Sequence, residues 1–218
     1  MKTHTKTLLT ALACSAGLTL SASGDVLVKY EFLDNDVSQS TGTATGSDVT
    51  YGPFTGGGAS GTLGTSSFSD TLFVRTSATG AIADDGDTLA EAITLGNYAG
   101  FTLSNTTGQT VDLTNLTFDI WFTSPGTTNT YGLYVMSDAA AFTAGNELGG
   151  VVYDTTVVSA PVEAGPATIT TGLSGLGNLA TSATIDFRIY FVDSADSTDP
   201  IFRVDNITVS GNAIPEPS

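Results

Sequence analysis

The sequence predicts an all-β protein, a single antiparallel β-sandwich of the jelly-roll type. Three observations predict it. Apolar residues recur at every second position, Thr, Val, Ile and aromatic residues fill those runs, and clusters of Gly, Ser, Asn, Asp and Pro separate them. Such alternation gives a strand one buried and one wetter face, and many short strands between turns are typical of a sandwich. No segment keeps a helical apolar stripe over three turns.

The first 24 residues are predicted to be a signal peptide. Lys2 and Lys6 form a positive start, an apolar stretch covers 8–20, and small residues at 21–24 offer a cleavage site after Ser23 or Gly24. The stretch is shorter than the roughly 20 apolar residues of a bilayer span. We therefore expect an exported protein, with residues 25–211 forming the sandwich.

The strands can be placed in order along the chain. Three show the alternation most clearly: 26–32, with Val26, Val28, Tyr30 and Phe32 on one face; 116–122, with Phe118, Ile120 and Phe122; and 185–191, with Ile185, Phe187, Ile189 and Phe191. Further strands are predicted over 71–75, 92–104, 130–136, 148–158, 167–173 and 202–210. The Gly-, Ser- and Thr-rich stretch 35–69 is expected to form long loops with one or two irregular strands.

The composition of the mature chain excludes several classes of catalytic site, metal site and binding partner. Loss of the leader removes the only histidine, the only cysteine and two lysines, so the formal charge passes from −16 to −18. A Ser-His-Asp triad, a Cys-His pair, ordinary zinc sites and disulfides are then excluded. A chain of this charge repels phosphate backbones and anionic lipids, so we expect neither nucleic-acid binding nor membrane insertion of the mature domain.

Carboxylate chemistry remains. A glycoside hydrolase needs two facing carboxyl groups roughly 5–10 Å apart. Asp119 beside Trp121 and Asp186 beside Tyr190 are the best-placed candidates, although both aspartates also fit exposed positions on an outer sheet face. Calcium accepts oxygen ligands from irregular loops, and Asp-rich runs occur at 34–36, 84–87 and 193–199. Solvated turns account for such runs equally well.

Four aromatic residues, Trp121, Tyr131, Tyr134 and Tyr190, are candidates for a platform on which a sugar stacks. Packing within the core or on a sheet face is the alternative. An exposed platform would favour carbohydrate binding.

The C-terminal residues carry a more specific signal. Arg203-Val-Asp-Asn-Ile-Thr-Val-Ser-Gly211, followed by Ile-Pro-Glu-Pro-Ser218, resembles the end of PEP-CTERM sorting-domain proteins. The resemblance assigns Pro215, Glu216 and Pro217 to the sorting signal, makes 212–218 a linker and the start of that signal, and implies an exosortase-type processing enzyme as a partner. The family continues with a hydrophobic span and a basic tail; this sequence stops before them, through trimming or as a fragment.

The body of the chain resembles the β-sandwich of the same proteins, at 27–32, 112–119 and 185–190. The family consists of surface or biofilm-matrix components of Gram-negative bacteria, which implies a structural, adhesive or display role without catalysis, at the cell surface or in the extracellular matrix. A looser resemblance links the last strand to jelly-roll carbohydrate-binding modules. It implies a structural Ca²⁺ shared by Glu31 and Asp205, and extracellular polysaccharide as a ligand. Asp205 as a turn cap, or paired with Arg203 or Arg188, is the alternative to the metal.

Overall fold

The structure, a computed structural model, describes residues 24–33, 36–52, 60–63, 71–75, 88–124, 130–154, 162–193 and 201–215. The strands within them are β1 (Asp25–Tyr30), β2 (Thr45–Gly46), β3 (Thr50–Tyr51), β4 (Ser60–Leu63), β5 (Leu72–Arg75), β6 (Tyr98–Ser104), β7 (Val111–Ser124), β8 (Thr130–Ser137), β9 (Gly149–Asp154), β10 (Val162–Gly172), β11 (Asn178–Leu179), β12 (Thr184–Asp193) and β13 (Ile201–Ala213). One α-helix, α1, spans Leu89–Leu95, and short 3-10 helices span Asp138–Ala140 and Ser174–Leu176.

The strands form two antiparallel sheets that pack as a sandwich. Sheet A has the order β10-β7-β13-β5-β4, with β1 also paired to β13 and β11 to β7. Sheet B has the order β2-β6-β12-β8-β9, with β3 also paired to β6. The chain passes from one sheet to the other between β6 and β7, between β7 and β8, and between β12 and β13, so neighbours in sequence are mostly not neighbours in a sheet. This connectivity confirms the predicted jelly-roll-like sandwich.

The core lies between the sheets and is built by the predicted alternation. Phe118 and Ile120 of β7 belong to the same core cluster as Phe187 and Ile189 of β12, and all four residues are at most 1% exposed. The residues between them face outward. Because burying one such side chain contributes about 1.5–3 kcal/mol, the core is the main source of stability.

The first strand departs from strict alternation. The pairing of β1 with β13 shifts register between Val26 and Val28, a β-bulge. An extra residue in one strand reverses the side on which its neighbours point. Val26, predicted to be inside, is therefore 38% exposed, and Leu27 is buried at 3%.

The prediction of a strand over 92–104 is wrong for its first four residues, which lie in α1. Thr88 and Glu91 form a capping box: the Glu91 amide donates to the Thr88 hydroxyl at 3.3 Å, and the Thr88 amide donates to the Glu91 carboxylate at 3.0 Å. Gly96, at φ 73°, ends the helix in the left-handed conformation that glycine adopts without strain. The Thr-x-x-Glu spacing was the available sequence signal.

Helix α1 covers part of the outer face of sheet B. Leu89 and Ala92 pack with Met136, Tyr190 and Val192 in a second apolar cluster, separate from the core between the sheets. This outer face is therefore not simply a solvated surface.

The C-terminal strand runs two residues past the predicted domain end at Gly211. Asn212 and Ala213 pair with β7, and the Ile214 amide donates to the Thr110 carbonyl at 2.8 Å. Pro215 is exposed. Glu216, Pro217 and residues 1–23 of the predicted leader lie outside the described residues. Among the described helices, none has the length and apolar character to cross a bilayer.

Candidate functional site

Two polar regions stand out, one on the outer face of each sheet. On sheet A the alternation of β7 turns Asp119 outward between buried Phe118 and Ile120. The β13–β7 register places Asp205 directly opposite Asp119. We call Glu31, Asp119 and Asp205 the acidic cluster.

A bulge next to Asp205 supplies donors to these carboxylates. The β13–β7 register shifts between Asp205 and Thr208, and Asn206 takes a φ of 52°. Its backbone amide donates to Asp205 Oδ1 at 2.7 Å and its Nδ2 to Asp119 Oδ2 at 2.9 Å. The Thr168 hydroxyl donates to Asp119 Oδ1 at 2.6 Å. The cluster is thus organised by neutral donors.

The Asp205 carboxyl is electrostatically unusual. Its pKa is raised from the ordinary 3.8 to about 6: burial is the largest cause and the charges of Asp119 and Glu31 add to it, while the amide of Asn206 and the charge of Lys29 lower the pKa. Glu31 accepts a hydrogen bond from Lys29 Nζ at 2.5 Å in an ion pair. The Asp205 carboxyl therefore lies within electrostatic range of Asp119, Glu31 and Lys29.

The calcium prediction for Glu31 and Asp205 remains a prediction. The charge of Glu31 acts on the Asp205 carboxyl. However, the described part of the chain contains no group of three or more Asp, Glu, His or Cys side chains close enough to hold a metal ion. Of the three Asp-rich runs, 84–87 lies wholly outside the described residues, as do residues 34–35 of the run 34–36 and residues 194–199 of the run 193–199.

The predicted aromatic platform does not form as one surface. Trp121 is half-buried on the outer face of sheet A, opposite Arg203, whereas Tyr134 and Tyr190 belong to sheet B. Tyr190 is 0% exposed, since α1 and Phe142 cover it, so its ring offers no face to a sugar. This corrects the expectation for Tyr190. Tyr134 packs against the same apolar cluster, and the Tyr131 side chain lies outside what the structure describes.

The two best-placed candidate acids are also separated. Asp119 lies on the outer face of sheet A and Asp186 on that of sheet B, with the core between them. They cannot face each other across a glycosidic bond, as a hydrolase would require.

The second polar region is a notch of about 100 Å³ on the outer face of sheet B. Asp186 and Arg188 of β12 lie opposite Thr102 and Gly100 of β6, and the edge residues Ser47 and Thr50 complete the wall. We call it the Arg188 notch.

The charged side chains of the notch are held in place. The Arg188 guanidinium lies over the rings of Tyr98, at 4.2 Å from the centroid, and Phe142, at 3.8 Å, and donates to the Tyr190 hydroxyl at 3.1 Å. Asp186 Oδ1 accepts from the Thr102 hydroxyl at 2.5 Å. Arg188 forms no ion pair within 4.0 Å in the described part of the chain. The notch thus holds one fixed guanidinium and one fixed carboxylate.

Gly100 keeps the floor of the notch open. A Cβ at this position would lie 2.8 Å from the Phe187 carbonyl oxygen and 3.3 Å from Arg188 Cγ. Glycine inside a strand often marks a place where another group approaches the backbone closely. This glycine was the sequence signal for the notch; the contacts of Arg188 with Tyr98 and Phe142 had none.

Comparison with known proteins yields structural likenesses only. No family model matches the chain. No curated protein matches it either. An adhesin domain of Lys-gingipain from Porphyromonas gingivalis covers 86% of this chain and 98% of its own, at 12% identity and TM-score 0.38.

Two carbohydrate-binding modules are also similar. A xylan-binding module of Paenibacillus barcinonensis Xyn10C covers 88% of this chain and 98% of its own, at 11% identity and TM-score 0.33. A family 11 module from Clostridium thermocellum, in complex with a β-1,3-1,4-linked tetrasaccharide, covers 87% and 99%, at 15% identity and TM-score 0.33. Likenesses of this degree carry no conclusion about what this chain binds.

Proposed function

We propose that this chain is an exported β-sandwich protein of the cell surface or extracellular matrix of a Gram-negative bacterium, with a structural, adhesive or display role and no catalysis. The acidic cluster carries the proposal. It is a half-buried group of carboxylates on a sheet face, and in this proposal two of its members, Glu31 and Asp205, respond to cations outside the cell. The predicted leader and the Pro215-Glu216-Pro217 signal, read by an exosortase-type enzyme, support the location.

In this proposal Ca²⁺ binds at Glu31 and Asp205 and stabilises the sandwich. Calcium takes hard oxygen ligands and tolerates irregular geometry. Burial raises the pKa of Asp205 most and the charges of Asp119 and Glu31 add to this, and a bound cation would offset both effects by favouring the ionised carboxylate. The Lys29 ammonium then has to move away from Glu31, and backbone carbonyls or water supply the remaining oxygens.

Thermal unfolding of the full chain tests the metal. We expect the melting temperature to rise when CaCl₂ replaces EDTA, because an ion that binds only the folded state stabilises it. Asp205→Asn should abolish the rise, whereas Asp112→Asn, on β7 away from the cluster, should keep it. An equal midpoint in both buffers for the unchanged protein rules out a stabilising calcium site.

Export and display need a separate test in cells. A tagged full chain produced with an exosortase-type enzyme should become accessible to protease on intact cells or be retained in the matrix. Replacing Pro215, Glu216 and Pro217 by alanine should release it or leave it inside. Retention of the protein in the cytoplasm in both forms would contradict the proposal.

Carbohydrate binding is the second candidate function. Because Tyr190 is buried and cannot take part in a stacking platform, we consider another surface for the sugar. The Arg188 notch is such a surface, since it combines a hydrogen-bond acceptor and a donor in a small open space.

A further inference from the structure

We propose that the Arg188 notch binds one neutral sugar ring through a pair of adjacent hydroxyl groups. Asp186 accepts hydrogen bonds from the pair and the Arg188 guanidinium donates to it. This inference rests on carbohydrate binding, the second candidate function, and gives that function a site.

The chemistry of the two side chains suits a diol. A hydroxyl both donates and accepts hydrogen bonds, whereas an ionised carboxylate only accepts and a guanidinium only donates. Asp186 and Arg188 lie two residues apart on β12 and point to the same face, roughly 7 Å apart along the strand. The hydroxyl groups of a sugar placed between them can donate hydrogen bonds to Asp186 and accept hydrogen bonds from Arg188.

The notch is ordered before a ligand arrives. Two aromatic rings and the Tyr190 hydroxyl hold Arg188, and the Thr102 hydroxyl holds Asp186. Thr102 is itself tied down, because its backbone amide donates to the Ser47 hydroxyl at 3.0 Å. Side chains that are already fixed lose less entropy on binding, so even a small ligand keeps most of its interaction energy.

Charge favours a neutral ligand over an acidic one. Asp186 and Arg188 contribute one charge of each sign to the notch, while the chain as a whole has a formal charge of −16. That field repels a polymer of uronic acids or sulfated sugars as it approaches. A neutral ring does not meet this repulsion.

Size limits the ligand to one ring. The volume of about 100 Å³ is a few times the ~30 Å³ share of a water molecule in the liquid, enough for one edge of a sugar ring. Gly100 contributes to this space, because a side chain there would occupy the floor. With so few ligand atoms in contact, we expect a dissociation constant on the order of millimolar.

Amide chemical shifts of the isotope-labelled full chain provide the test. The probes are the methyl glycosides of glucose, galactose and mannose, with methyl glucuronide as the acidic comparison.

Arg188→Met removes the donors but leaves an unbranched apolar chain against the rings, and Asp186→Asn removes the charge. Thr50→Tyr, at an exposed edge position, should block the entrance without disturbing the sheet. Asp112→Asn and Thr45→Tyr are the matched controls away from the notch, and melting curves verify that each variant folds.

The expected result is that a neutral glycoside shifts the amides of Gly100, Asp186 and Arg188. Binding should weaken at least tenfold in Arg188→Met, Asp186→Asn and Thr50→Tyr and remain unchanged in the controls. If a glycoside binds all folded variants equally, or shifts other residues, the notch assignment is overturned while carbohydrate binding stands. Binding of the glucuronide alone overturns the neutral ligand. No response to any probe at tens of millimolar overturns both the site and carbohydrate binding, leaving display or adhesion.

Discussion

Asp205 on β13 stands directly opposite Asp119 on β7, and the Asn206 side chain bridges the two, with Nδ2 2.9 Å from Asp119 Oδ2. Like charges directly opposite each other destabilise a strand pair. The neutral donors of Asn206 and Thr168 reduce this cost. The pKa of Asp205 is nevertheless raised to about 6, mainly by burial and in smaller part by the charges of Asp119 and Glu31. The pairing of Asp205 with Asp119 is therefore unfavourable for the folded sandwich when both carboxyl groups are ionised.

The first prediction concerns pH. The folded-state pKa of Asp205, about 6, lies above the ordinary 3.8, so the folded protein binds this proton more tightly than the unfolded chain does. The resulting stabilisation is fully present below about pH 4 and is lost as the pH rises through 6. In EDTA at pH 7, Asp205→Asn should therefore be more stable than the unchanged protein, by about 1 kcal/mol after allowance for solvent screening.

Urea unfolding at pH 4 and pH 7 measures this effect. The advantage of Asp205→Asn should be much smaller at pH 4, where Asp205 is protonated in the folded protein and about half protonated in the unfolded chain. Asp112→Asn should show no such pH-dependent difference. A variant that is less stable than the unchanged protein at pH 7 in EDTA would show that the carboxylate is favourable there.

The second prediction concerns Asn105, which is 1% exposed. Its Nδ2 donates to the carbonyls of Gln109 at 2.8 Å, Leu179 at 2.9 Å and Ala180 at 3.1 Å, and its Oδ1 accepts from Thr107. Asn105→Ala removes all of these hydrogen bonds, although Ala180 and Gln109 keep a donor each in the Ala183 amide and the Thr107 hydroxyl, and should lower the free energy of unfolding by about 2–3 kcal/mol.

In thermal unfolding this loss corresponds to a decrease of about 5–10 °C for a chain of this size. The exposed Asn178, on β11, provides the control, because Asn178→Ala should change stability by less than about 0.5 kcal/mol. Equal effects at the two positions would contradict the role given to the buried hydrogen bonds.

The third prediction concerns the N-cap of α1. Thr88→Ala removes the hydroxyl that accepts from the Glu91 amide and should destabilise the helix by about 1 kcal/mol. Hydrogen exchange of the α1 amides should accelerate while that of the β7 amides stays unchanged. Thr88→Ser should restore protection, and Thr94→Ala, at an exposed helix position, should have a smaller effect. Uniform acceleration throughout the molecule would mean that α1 does not open separately.

The fourth prediction concerns Arg188 and Tyr190. Burial raises the pKa of the Tyr190 hydroxyl, and the hydrogen bond and charge of Arg188 lower it. Removing the guanidinium in Arg188→Met should therefore move the ionisation of Tyr190 to higher pH, as followed by ultraviolet difference titration against Tyr190→Phe. An unchanged titration would show that the two side chains are not coupled.

Two substitutions of Arg188 distinguish the stability contributed by its packing from that contributed by its charge. Arg188→Ala loses the contacts with the Tyr98 and Phe142 rings and should cost about 1–2 kcal/mol in urea unfolding. Arg188→Met retains apolar contact with the rings and should cost less. If both variants lose the same free energy of unfolding, the whole effect comes from the guanidinium.

The sequence by itself determined which strands have a buried face. Alternation at β7 and β12 identifies Phe118, Ile120, Phe187 and Ile189 as core, because side chains of a strand point to opposite faces in turn whatever the partner strand. It also determined the acidic composition, from which the expectations about partners follow. Alternation is a property of a single strand and composition is a sum over the chain, so neither depends on how the chain folds.

Only the tertiary structure decided which outward residues meet. The bulge that exposes Val26, the opposition of Asp119 and Asp205, and the placing of Arg188 against Tyr98 and Phe142 all depend on strand register and on α1 packing over sheet B. Register is a relation between distant segments, and a shift of one residue turns every side chain of a strand to the other face. Alternation within one strand therefore predicts which of its side chains share a face. The residues that contact those side chains depend on how the strands pair.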